Sequence, residues 1–165
     1  MTIFATNQDL SAEGLREIFG AFPSGVVAVA AEIDGEPVGL AASSFTSVSL
    51  DPPLVSISIA NGSKTWPDLR RSEHLGITVL AAHHAALARQ LGGPVAQRFK
   101  GLGLATYPSG AAFVLDGVAH FETSVFREVP AGDHTIVLLQ VHARSLLTNG
   151  LPLVFHRSNF RRISA

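Results

Sequence analysis

The side chains best suited to hold a polar ligand fall into two groups. The first is Ser43-Ser44-Phe45-Thr46-Ser47-Val48-Ser49, which follows Ala41-Ala42. Short hydroxyls and backbone N–H groups suit the edge of a flat heteroaromatic ring that alternates donors and acceptors. A stretch free of long side chains also lets the backbone come close. The same composition suits an ordinary polar strand or turn. The second group is Asn61-Gly62-Ser63-Lys64-Thr65, just before a short helix. Unpaired N–H groups and partial positive charge at a helix start suit a phosphate. Ser63 and Thr65 add hydroxyls and Lys64 adds a full charge. A capped helix with a solvated lysine reads equally well. A single strand joins the groups, so they can face the two ends of one ligand, with a ring at one end and a phosphate at the other. Flavin mononucleotide (FMN) has that form.

The remaining candidates are sparser. His134 follows a Gly-Asp turn at a strand's entrance, where it could hydrogen-bond or stack on a ligand, or be a surface histidine. His134 and His142 share a strand face but lie roughly 26 Å apart at strand rise, too far to chelate one ion. No His/carboxylate spacing resembles a zinc motif, so no metal is expected. The chain has no cysteine, which excludes disulfides and thiolate chemistry. Nothing resembles a nucleophile elbow. Gly101-Leu102-Gly103 lacks the third glycine and the strand–helix context of a dinucleotide fingerprint. Arg157, Arg161 and Arg162, with Phe155 and Phe160, form a basic-aromatic tail, either solvated or clamped on a phosphate or partner subunit.

These groups need elements to position them. A chain of 165 residues suits one domain over 1–165, with 1–10 a loose arm. Ser11 caps a helix whose apolar stripe is Leu15, Ile18, Phe19 and Phe22. Strands are expected at 26–33 and 36–42, joined by an Asp34-Gly35 hairpin turn. Another at 54–60 alternates, with Val55, Ile57 and Ile59 on one face and Ser56, Ser58 and Ala60 on the other. Thr65 reads as the N-cap of a helix over 66–71, with Asp68 completing a capping box. A strand over 75–80 and an alanine-rich helix over 83–91 follow. Residues 94–110 read as a long loop holding Gln97-Arg98-Phe99. Residues 112–115 and 118–127 flank Asp116-Gly117 as a second hairpin. Strands at 135–144 and 153–156 precede the arginine tail. Six or seven short strands in hairpins with three small helices predict a mainly β, closed or nearly closed antiparallel barrel.

Composition limits the partners. Hydrophobic residues make up 47% and charged residues 15%, so a partner subunit is expected to cover apolar surface. A net charge of −1 offers no field to gather nucleic acid or anionic membrane. The N-terminus lacks a basic start and an apolar core, unlike a signal peptide, and no apolar run approaches the ~20 residues of a membrane helix. A cytoplasmic protein is the expectation.

The run from Gly39 through Ser43-Ser44-Phe45-Thr46-Ser47-Val48-Ser49-Leu50-Asp51-Pro52-Pro53 to Ile59 closely resembles the short-chain flavin reductase family. These are the reductase components of two-component flavin-dependent monooxygenases. The resemblance takes in Phe22-Pro23-Ser24-Gly25, residues 61–67, Gln97-Arg98-Phe99, Leu115-Asp116-Gly117, Gly132-Asp133-His134 and 152–157. It implies a homodimeric FMN-binding Greek-key split barrel, with FMN or FAD near the subunit interface and NADH or NADPH as hydride donor. It places Ala42, Ser43, Ser44, Phe45, Thr46 and Ser49 along the ring and Asn61, Ser63, Lys64 and Thr65 at the phosphate. Arg98, with Phe99 beside it, becomes a loop contact to the flavin, and His134 the residue that seats the nicotinamide. Many members carry Thr-Ala-Asn-Ser where this chain has Ala41-Ala42-Ser43-Ser44. The implied reaction passes a hydride from nicotinamide C4 to flavin N5, since no side chain here can store one. Reduced flavin then goes to a monooxygenase partner, which calls for weak flavin binding. A non-catalytic split-barrel binder of flavin or haem is the alternative.

Overall fold

The computed structural model describes residues 8–147 and 150–163. Residues 1–7 of the expected N-terminal arm lie outside them. In chain order the elements are α1 (Ala12–Phe19), β1 (Ser24–Gly25), β2 (Val27–Ile33), β3 (Glu36–Ala42), β4 (Thr46–Leu50), β5 (Pro53–Ala60), α2 (Trp66–Leu69) and β6 (Leu75–Val79). Then come α3 (Ala85–Leu91), β7 (Leu104–Thr106), β8 (Ala112–Val114), β9 (Ala119–Ala131), β10 (His134–Leu146), β11 (Leu153–His156) and β12 (Asn159–Arg162). Seven strands form one antiparallel sheet in the order β3-β2-β6-β9-β10-β5-β4. The fold is mainly β, a split barrel with a few short helices.

Sequence periodicity explains the wrap. Val55, Ile57 and Ile59 of β5 turn inward, as alternation requires, and meet Val137 and Leu139 of β10, Ile77 of β6 and Val29 of β2 in one core. Trp66 and Leu69 of α2 close that core. The other face of β2 packs Val26 and Ala28 against Leu91 of α3, Val114 of β8 and Leu153 of β11 in a second core. With a core on each side, β2 is buried over five successive residues, the pattern of a doubly covered strand. Strands β3 and β4 are the sheet's two edges, and residues 43–45 carry the chain from one to the other. The hydroxyl segment therefore sits at the barrel's seam.

Several expectations change. Asp116-Gly117 does not close a hairpin: β8 pairs with β7, while β9 pairs with β6 and β10. It is a corner between sheets, and Gly117 is favoured there because a Cβ would run into the Thr78 methyl. The expected 94–110 loop contains a short 3₁₀ turn at Val95–Gln97 and strand β7. The arginine tail is strand β12, paired with β11 through an Arg157-Ser158 turn with φ of 48° and 60°. Phe160 in it lies under the Arg89 guanidinium at 5.0 Å. The first helix is capped by Ser11, whose Oγ accepts from Gly14 N at 3.1 Å. Its apolar stripe is left uncovered, with Ile18 and Phe19 each 68% exposed.

His84, just before α3, is buried, and its Nδ1 accepts the Ala81 N–H at 3.1 Å. Burial first, then the neighbouring His83, hold its pKa below the ordinary 6.5. The unfolded chain therefore takes up a proton that the native state refuses as pH falls below 6.5. Stability from the neutral ring is full above that pH and declines on acidification. We predict that His84→Asn, which keeps an acceptor, flattens this acid limb in urea titrations between pH 7 and 5.

Candidate functional site

The hydroxyl segment is fixed by one side chain. Ser44 Oγ accepts from Ser58 N at 2.9 Å and donates to Ser58 O at 3.1 Å. It thus stands in for a ladder residue on β5, and its hydroxyl is spent on the sheet. Phe45 turns to the barrel core and stacks on Phe121, ring centroids 5.7 Å apart. Thr46 begins β4 opposite Ser56. Ser49 pairs with Leu54, about 13 Å along β5 from Ser58.

Strand β5 then delivers the chain to the second group. The expected Thr65 cap is corrected: Thr65 makes no side-chain cap bond. Ser63 Oγ does this instead, accepting from Trp66 N at 3.2 Å. Thr65 is buried, and its Oγ1 accepts from Arg98 Nη1 at 2.9 Å. The same Nη1 donates to Gly39 O at 3.0 Å, and Nε donates to Gly93 O at 2.9 Å. Arg98 thus ties its loop to β3 and to the start of α2, a half-buried cation behind the 61–65 turn. Phe99 packs in the second core rather than at the surface. Lys64 is exposed.

Gly132-Asp133 is a two-residue hairpin turn, since Ala131 pairs with His134. Gly132 has φ of +67°, which glycine adopts without the penalty a Cβ brings. Asp133 Oδ1 lies 2.7 Å from His134 Nδ1. A carboxylate can only accept, so Nδ1 carries the proton and Nε2 is left to face a ligand. The hydrogen bond from His134 first, then that ring's charge, with Arg16 contributing, keeps the Asp133 carboxyl below its ordinary value. The acceptor stays ionised through the neutral range.

Asn61 joins the turns. Its N–H donates to Asp133 O at 2.9 Å, its Nδ2 to Gly132 O at 3.2 Å, and its Oδ1 accepts from Thr135 Oγ1 at 3.0 Å. Its amide is a staple between the phosphate-ready turn and the histidine turn. Losing the staple lets both ends of the site drift. If the ligands are those the sequence resemblance implies, Asn61→Ala should weaken flavin affinity and nicotinamide kcat/KM together, each about 5- to 10-fold. Fluorescence titration and steady-state kinetics read the two effects.

One cleft of 280 Å³ brings these pieces together. It is lined by Ala42, Ser43, Ser44, Ser58, Ala60, Ser63 and His134, among others. Ser44 and the 61–65 turn therefore flank the same opening. Small side chains of β3 and β5, with Leu40 and Ile59, line it and leave room for a flat ring. The donor chemistry fits a planar ligand with a polar edge and an anionic tail. Leu40 and Ala41 also line it; their only sequence signal was their place next to Ala42. Among the described residues no three His, Asp or Glu side chains cluster to hold a metal. No described helix is long and apolar enough to cross a membrane.

A split barrel with a seam cleft, a helix-start turn and a carboxylate-paired histidine is suited to a small polar ligand. The family model for the flavin reductase like domain matches residues 19–164, and the chain belongs to that family. It is 37% identical over 139 residues to the stachydrine N-demethylase reductase subunit Stc3 of Rhizobium meliloti (strain 1021), covering 83% of this chain and 60% of that one. It is 30% identical over 148 residues to HsaB, the reductase subunit of a flavin-dependent monooxygenase of Rhodococcus jostii (strain RHA1), covering 90% and 76%. The chain spans 60% and 42% of the lengths of the two Rhizobium meliloti relatives it matches. Among solved structures it resembles the Streptomyces globisporus NADH:FAD oxidoreductase SgcE6 in complex with NAD and FAD fragments. The TM-score is 0.90 at 33% identity, over 97% of this chain and 98% of that one.

Proposed function

We propose that this protein is an NAD(P)H-dependent flavin reductase that supplies reduced FMN or FAD to a partner monooxygenase. The observation that carries the reading is the single cleft shared by Ser43, Ser44, Ser63 and His134. A bound flavin would supply the redox chemistry, as the acceptor of a hydride from the nicotinamide. The chain's own residues do the rest. Backbone groups at 42–46 meet the ring's polar edge. The Gly62 and Lys64 N–H groups and the Lys64 ammonium would hold the phosphate, with the half-buried Arg98 charge behind them. His134, its Nδ1 proton fixed by Asp133, presents Nε2 to the nicotinamide carboxamide and seats it. The relatives' names as NADH-dependent reductases and monooxygenase reductase subunits support this reading. A steady-state assay crossing NADH and NADPH with FMN and FAD tests it. Flavin-stimulated oxidation of at least one nicotinamide is expected, and none with any pair would defeat it.

The working form is a cytoplasmic homodimer. Ser58, Ile136 and Val129 lie abreast on β5, β10 and β9, on the face away from the core, and Ser56, Leu138 and Arg127 form the next row. Leu50, at the β4–β5 turn, is a further uncovered apolar side chain, 97% exposed. A second copy is the natural cover, because obligate interfaces are unusually apolar. Sedimentation should give a dimer at micromolar concentration, and Ile136→Lys should shift it to monomer. A wild-type monomer would contradict the assembly.

A further inference from the structure

The end of α3 holds Arg98 from two sides. Gln90, the penultimate residue of that helix, reaches over a turn closed by Lys100 N donating to Gln97 O at 3.3 Å. Its Nε2 lies 3.0 Å from Gln97 O, 3.2 Å from Arg98 O and 2.9 Å from Lys100 O. Three carbonyl oxygens converging on one nitrogen call for a donor at that place and nothing else. On the other side Gly93 O, just past the helix, accepts from Arg98 Nε at 2.9 Å. Helix α3 is a firm support for this grip, because Ala88 and Leu91 are buried in the second core.

Held by its carbonyl and by Nε, Arg98 turns Nη1 toward the supports of the cleft. That nitrogen donates to Gly39 O and to Thr65 Oγ1. Gly39 leads into Leu40, Ala41 and Ala42 of β3, and Thr65 ends the turn that carries Ser63; those four residues line the cleft. The 97–100 turn lies hard against β3, since a Cβ on Gly39 would run into Val29 O and the Phe99 ring. Gln90 itself is not among the residues that line the cleft. Hydrogen bonds nevertheless join it, through Arg98, to two of the cleft's walls.

Resting on the flavin reductase reading, we propose that Gln90 is a positioning residue for the flavin site. It fixes the 97–100 turn, the turn aims Arg98, and Arg98 holds β3 and the 61–65 turn at the spacing the ligand requires. A site loosened in this way loses affinity before it loses chemistry, because no reacting atom is touched.

The test uses the full chain and FMN. Gln90→Ala should weaken FMN about fivefold in a fluorescence titration, the effect of one supporting hydrogen bond. Alanine is the better helix former, so that loss cannot come from α3 itself. Gln90→Lys should restore affinity to within about twofold, because an ammonium offers three donors to the three carbonyls. In an Arg98→Ala background, Gln90→Ala should cost less than about twofold more, since the two act in series. Steady-state kinetics should place the loss in the KM for flavin rather than in kcat. Hydrogen exchange of the ligand-free protein should quicken about fivefold at 62–66 as well as at 97–102 in Gln90→Ala. Rescue and exchange decide the matter should Arg98→Ala fail to fold. Unchanged FMN affinity in Gln90→Ala, equal losses in Gln90→Ala and Gln90→Lys, or additive losses with Arg98→Ala each overturn the proposal. So does faster exchange confined to 97–102, the mark of a clamp that serves its own turn only. If affinity, rescue and exchange behave as stated but no nicotinamide reduces the flavin, the reductase reading fails and the positioning role stands.

Discussion

Replacing His134 with alanine should cut kcat/KM for the nicotinamide about 100-fold, the low end of what a positioned polar group contributes in reacting geometry. Flavin affinity should change by no more than about threefold, because in the proposed site the ring edge and phosphate fall to backbone at 42–46 and to the 61–65 turn. The division follows from position. His134 lines the cleft's rim with its side chain 45% exposed, and its Nδ1 is committed to Asp133 at 2.7 Å. It can order a second ligand without building the pocket for the first. Asp133→Asn should reproduce part of the defect by permitting the other tautomer. Stopped-flow reduction of premixed flavin measures the effect apart from product release. An unchanged rate at low nicotinamide would remove His134 from the reaction.

Truncating Trp66 to alanine should be the most damaging single change to stability, about 3–5 kcal/mol. Trp66 is 6% exposed and closes the barrel core with Leu69. Its Nε1 donates to Glu128 Oε1 at 2.7 Å, and Glu128 pairs with Arg70 at 2.8 Å. Its backbone N–H is the donor that Ser63 caps. One side chain thus fastens the phosphate-ready turn both to the core and to β9. At about 2–4 °C per kcal/mol for a chain of this size, melting should drop by roughly 10 °C. Trp66→Phe keeps most of the packing and loses one hydrogen bond, about 1 kcal/mol. Circular dichroism melts separate the two. Equal losses would mean the indole's hydrogen bond, not its volume, holds the turn.

What the sequence disclosed was what neighbours in the chain decide. The alternation over β5 told which residues face the core, and Asp34-Gly35 told where a hairpin closes; both have the inward residues and positive φ expected. The motif string located the seam of the barrel. Pairing partners far along the chain were not legible. Asp116-Gly117 reads locally as a hairpin turn, yet β8 finds β7 and β9 finds β6. The same limit hid β12, whose turn uses arginine and serine where glycine or asparagine would announce it. Within the site, residue types were easier to read than their uses. Ser44 and Asn61 were natural ligand contacts by chemistry, but their polar atoms are occupied by Ser58 and the 132–135 turn. Arg98 spans three segments that only the fold brings together.

The central claim is that one cleft grips a flavin by its ring and its phosphate at once. Equilibrium titration of FMN and of riboflavin, which differ by the phosphate alone, tests it most directly. FMN should bind at least about tenfold tighter, the worth of a charge-assisted phosphate contact. Lys64→Ala, at an exposed position, should narrow that gap. Equal affinity for the two flavins, or a gap that Lys64→Ala leaves untouched while salt abolishes it, would contradict the 61–65 turn as the phosphate's seat.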